Sequence, residues 1–133
     1  MLREASFHEA GHCIVAWALG YAVNWAWVDG KNNGRMAYTL PRDARHQATI
    51  LLAGTAAQRR ACGHDSPLGV SDAKAIAALD PRFAASCQAA AEALVTRYWS
   101  LIEEVAARLL ERGEVSDFEV EQACRRMQAA WCS

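Results

Sequence analysis

Two histidines and a glutamate in one short stretch, Phe7-His8-Glu9-Ala10-Gly11-His12, carry the chemistry most readable in this chain. The pattern is H-E-x-x-H. On an α-helix, residues four apart stand one turn above each other on the same face. His8 and His12 would therefore offer two imidazoles to one metal ion. Glu9 would sit about 100° further round, near enough to hold a water beside that metal without being a ligand. This is the arrangement of a zinc hydrolase, with two histidine ligands and a carboxylate that accepts the attacking water's proton. The competing interpretation is a surface helix with two ordinary histidines. The flanks weigh against it, because Phe7, Ile14, Val15 and Leu19 keep apolar residues at helical spacing on both sides. A mid-helix glycine costs about 1 kcal/mol relative to alanine. Gly11 therefore wants a reason, and close backbone approach beside the metal supplies one.

The remaining elements must hold that helix in place. The first helix runs from Leu2 to about Leu19 and stops at Gly20 in a C′ role. VNWAWV, Val23 to Val28, alternates with the period of a strand and puts Val23, Trp25 and Trp27 on one face. The turn DGKNNG leads to a returning strand, Arg35 to Leu40, which ends at Pro41. A two-stranded hairpin is marginal alone, so it must lie on the helices or find more strand. Asp43 caps a helix to about Cys62, where Gly63 ends it; Gly54 and the alanines Ala53, Ala56 and Ala57 give it a closely packing face. An irregular segment, 63–70, precedes a short helix capped by Ser71. Asp80 and Pro81 then open a long amphipathic run through Cys87, Ala91, Leu94, Tyr98, Ile102, Val105 and Leu109 to Gly113. Ser116 and Glu119 form a capping box for the last helix. The expected class is α+β, mainly helical, in a single domain over 1–133.

Composition excludes several classes of function. The chain has 133 residues, 53% hydrophobic and 22% charged, with a net charge of −1. There is no basic stripe for nucleic acid or an anionic membrane surface. The longest apolar stretch, Cys13 to Val23, is too short to span a bilayer and is interrupted by Gly20. Five cysteines (Cys13, Cys62, Cys87, Cys124 and Cys132) lack C-x-x-C spacing and follow no secretory signal, so they read as reduced thiols of a cytoplasmic protein. Cys62 and His64 alone are too few ligands to argue a second metal site.

A catalytic zinc needs a third protein ligand and an open position. His46, His64, Asp65, Asp72, Asp80, Glu92 and the late glutamates are the candidates. A residue at a helix start has a fixed backbone and projects toward a neighbouring helix, which favours Asp72 and Asp80. Spacing does not choose between them.

HEAGH, a hairpin, LLAGTAAQR, GVSDAKAIAAL and LLERGEVSDFEV, in that order, resemble the peptidase domain of the FtsH-type, ATP-dependent zinc metallopeptidases over nearly the whole chain. The matches include Tyr38-Thr39-Leu40-Pro41 after the strand pair, Gly54-Thr55-Ala56-Ala57-Gln58 on the second long helix, and Leu109-Leu110-Glu111 before the last. The resemblance implies a zincin-like fold, zinc bound by His8, His12 and Asp72, and Glu9 as general base. Two departures stand out. Gln58 occupies a position where that family usually has Glu, and the loop before Asp72 is shorter, which leaves Asp65 as the fallback ligand. The family's AAA+ ATPase module and membrane anchor are not in this sequence. Unfolded or extended polypeptides are therefore the expected substrates, and folded ones would need a separate ATPase partner. A homo-oligomer, which that family forms with help from its ATPase ring, would have to be held by this domain itself. The leading expectation is a zinc endopeptidase. Its rival is a non-proteolytic module that keeps a peptidase fold to bind a peptide or partner protein, although such a module has no chemical need for Glu9.

Overall fold

The first helix, α1 (Leu2–Ala18), is buried almost all round, with Ala5, Ser6, Phe7 and Glu9 through Ala16 all inside. A helix apolar on every side belongs in the middle of a fold, and α1 is the element the others surround. The computed structural model describes residues 2–29, 34–63, 77–78 and 80–132, and of Leu2 and Cys132 only the backbone. In order after α1 come β1 (Val23–Val28), β2 (Gly34–Tyr38), α2 (Ala44–Cys62), α3 (Pro81–Arg97), α4 (Trp99–Arg112), β3 (Glu114–Ser116) and α5 (Asp117–Cys132). The class is α+β and mainly helical, as the patterning implies. No described helix is long and apolar enough to cross a membrane.

Helix ends fall where local chemistry puts them. Gly20, at φ 93°, closes α1 in a Schellman arrangement: its N–H donates to Trp17 O and that of Tyr21 to Ala16 O, both at 2.9 Å. Asp43 accepts the Arg45 N–H at 2.9 Å to cap α2, and Gly63 ends it in the left-handed region. Asp80 caps α3 with Pro81 at the first turn. Ser116 Oγ accepts the Glu119 N–H at 3.2 Å while Glu119 Oε1 accepts the Ser116 N–H at 3.3 Å, the reciprocal capping box.

Helices α1 and α2 approach closely at one point, where α1 has no side chain and α2 only small ones. A Cβ on Gly11 would meet Ala53 O at 2.7 Å and Ala57 Cβ at 2.8 Å. The glycine and the alanine face of α2 are thus two halves of one contact, and it fixes the height of the H-E-x-x-H turn against α2. On another side of α1, the Phe7 ring stacks on Trp99 of α4 at 5.4 Å.

Two features differ from the sequence expectation, while the hairpin finds the further strand it needs, in an antiparallel sheet of order β2-β1-β3. Strand β1 is therefore paired on both sides, and among the described strands β2 and β3 form the edges. A register irregularity between Val23 and Trp25 breaks the simple alternation, so Val23, Ala26 and Val28 are buried while Trp25 is exposed. Finally, the long amphipathic run is two helices. Tyr98, at φ −105° and ψ 23°, leaves helical geometry with its ring against Trp17 of α1 and Trp131 of α5. In the stripe Cys87, Ala91, Ile102, Val105 and Leu109 are buried and Leu94 and Tyr98 half-buried, but Phe83 at its start stays exposed beneath Arg45 and Arg82.

Candidate metal centre

His8 and His12 face the same side of α1 and their Nε2 atoms lie 3.0 Å apart. What their other nitrogens do decides what those atoms can be. His12 Nδ1 is 2.7 Å from the carbonyl oxygen of Ile50, and His8 Nδ1 is 3.2 Å from the side-chain oxygen of Gln58, both on α2. Carbonyl and amide oxygens only accept, so each Nδ1 carries the hydrogen and donates it. Each ring then keeps its lone pair on Nε2, aimed at the other. Two lone pairs this close call for a shared proton or a metal ion between them.

Zinc fits that requirement. Two nitrogens bound to one tetrahedral zinc at about 2.0–2.1 Å stand roughly 3.3–3.4 Å apart, within a few tenths of an ångström of the separation here. Nδ1 donation to a carbonyl or amide oxygen is also the usual way a histidine ligand is held in tautomer and orientation. One ligand atom from each of His8, Glu9 and His12 lies within 4.8 Å of the others. Glu9 is buried, and Gly34, the first residue of β2, lies against it: a Cβ there would sit 2.6 Å from Glu9 Cγ and 3.0 Å from Oε1. Gly54 plays the matching part for His12, since a Cβ on it would meet the imidazole Cε1 at 2.4 Å. Both glycines leave room that the site side chains fill.

Among the described residues the metal-capable group ends with these three. Asp80, which its helix-start position favours as a ligand, instead caps α3 and pairs with Arg82. Hydrogen bonds from the Arg82 side chain and backbone hold its carboxyl below the usual range. His46 Nδ1 is 2.7 Å from Tyr21 Oη, and Glu92 accepts from Gln88 at 3.0 Å. None of the three joins the site. Asp72, Asp65 and His64 lie outside the described residues. Cys13, next to His12 in sequence, is fully buried; burial first, and then the charge of Glu9, push its thiol far up, so it stays protonated.

Gln58 and the Ile50 carbonyl are the site groups that residue chemistry alone does not reveal. Gln58 is visible in sequence as the residue after a small-residue run, but its contact with His8 spans 50 positions. The Ile50 carbonyl has no side-chain signature at all. No protein-family model matches the chain, and no curated protein sequence matches it.

Proposed function

We propose that the chain is a zinc-dependent endopeptidase acting on unfolded or extended polypeptides, with His8, His12 and Asp72 as the metal-binding residues and Glu9 as general base. One observation carries this reading. Two imidazoles, each oriented through Nδ1 by α2, converge through Nε2 beside a buried carboxylate. Asp72 completes the set by its resemblance to the third ligand of the FtsH-type peptidases, with Asp65 as the second choice.

When bound, zinc would polarise the scissile carbonyl and make a water acidic enough to attack at neutral pH. The other tasks fall to the chain. Glu9 accepts the attacking water's proton and passes it to the leaving amine nitrogen. Its burial and the backbone of Gly34 beside it restrict where its carboxylate can swing. The substrate platform is β2. Strand β1 is already paired on both sides, whereas β2 has one side unpaired by any described strand. A peptide hydrogen-bonded along that side by strand addition would pass Glu9, because the residue of β2 in contact with Glu9 is its first, Gly34. An extended segment fits such a platform and a folded one does not, so a separate ATPase would be needed to feed folded substrates.

The test is hydrolysis of a permanently unfolded protein by the zinc-loaded chain, wild type against Glu9→Gln. The variant is expected to keep its zinc and lose hydrolysis by at least roughly 10²-fold, the usual contribution of a general base. Full activity in Glu9→Gln would overturn the mechanism.

A further inference from the structure

The sheet has a second face that the proposed chemistry does not use. Directly paired residues of antiparallel strands project to the same side. The row Met36, Ala26 and Val115 belongs to the core. The rows on either side of it therefore face outward. One is Arg35–Trp27–Glu114 and the other Ala37–Trp25–Ser116. Trp25 is 43% exposed and Trp27 half-buried, and neither tryptophan belongs to the hydrophobic core. Indoles on the central strand of an outward sheet face are a costly use of large apolar side chains unless something covers them.

The charges say what covers them. Arg35 stands on the β2 edge and Glu114 on the β3 edge, both exposed and both in the row of Trp27. Charge is thus opposite in sign across the axis of β1. A two-fold axis running along β1 in the contact plane turns the sheet over and exchanges its edges. It places Trp27 over its own copy, and it places Arg35 over Glu114 of the partner subunit, twice per dimer. The same operation sets Ala37 against Ser116 of the partner subunit, small residues that leave room beside the paired Trp25 rings. This is the self-complementarity that an isologous interface requires.

We propose that the outer face of β2-β1-β3 is a self-association surface through which two copies of this chain pack sheet to sheet. The face is only three short strands wide, well under the roughly 800 Å² per partner of a standard stable interface, so the dimer is weak and concentration-dependent. Face-to-face packing uses no main-chain edge and leaves β2 open for a peptide, so the inference stands independently of the peptidase reading.

Sedimentation velocity of the full chain over a concentration series tests it. Wild type is expected to pass from monomer to dimer. Arg35→Glu and Glu114→Arg should each raise the dissociation constant at least roughly tenfold by setting like charges together, and the double variant should restore it. Trp25→Ser should abolish the dimer with an unchanged far-UV circular dichroism spectrum. A monomer at every concentration up to about 1 mM, a dimer indifferent to both charge reversals, or a double variant as weak as the singles would each overturn the proposal.

Discussion

At the scale of the residue, the candidate site depends on two groups of α2. The Ile50 carbonyl and Gln58 each take the Nδ1 hydrogen of one histidine and so leave Nε2 as the nitrogen that would face a metal. Removing such an orienting partner usually costs 10- to 100-fold in metal affinity. Gln58→Ala is therefore expected to weaken zinc binding by about that factor in a chelator competition, whereas Gln58→Glu, which also accepts, should bind at least as tightly as wild type. A Gln58→Ala variant with unchanged affinity would show that His8 needs no help. Gly54→Ala tests the other histidine, because the added methyl would overlap the His12 ring at 2.4 Å. It should lose zinc affinity by roughly tenfold or more in the same chelator competition. His8, Glu9 and His12 were legible from spacing alone, since one turn of helix settles their relation. Gln58, Gly54 and Gly34 were not, because their roles exist only once α2 and β2 lie against α1.

Elements repeat that division. Asp43, Gly63, Gly20, Asp80 with Pro81, and the Ser116–Glu119 pair announce helix ends in the sequence, and they act there because capping involves neighbours two to five residues away. Strand β3 is three residues with a single apolar Val115, too short for a period to show. The break at Tyr98 is set by Trp17 and Trp131, far away in sequence. The start of α5 offers a pH prediction. Burial alone would raise the Glu119 carboxyl. Hydrogen bonds from Arg112, the Ser116 N–H and Arg108 outweigh it and hold the group below its usual range. A folded-state value below the unfolded one gives stability that is fully present above the unfolded carboxylate range, near pH 4.3, and is lost as pH falls through the folded value. Glu119→Gln keeps an acceptor for the Ser116 N–H but loses the charge facing Arg108 and Arg112, so it should cost roughly 0.2–1 kcal/mol near neutral pH and flatten the acid limb of a stability-versus-pH curve. An unaltered acid limb would mean that the Arg108–Glu119–Arg112 cluster adds nothing in solution.

At the scale of the molecule, a central helix carries the candidate site while α2 orients its histidines, β2 borders it and α4 backs it. The reduced thiols expected from cysteine spacing are free among the described residues, at Cys13, Cys62, Cys87 and Cys124. Burial, then Glu121 and Glu104, push the Cys124 thiol up to about 12. Cys13 and Cys124 should therefore resist iodoacetamide near neutral pH until the chain unfolds, and peptide mapping of the alkylated protein checks this. Rapid labelling of both in the native state would mean that the core around α1 opens readily.

The most direct measurement is metal content by mass spectrometry on the purified full chain, comparing wild type, Glu9→Gln and Asp72→Ala. About one zinc per chain is expected in wild type and in Glu9→Gln, and far less in Asp72→Ala, because Glu9 would move a proton while Asp72 would hold the ion. A folded wild type that takes up no zinc even with metal added would contradict that expectation.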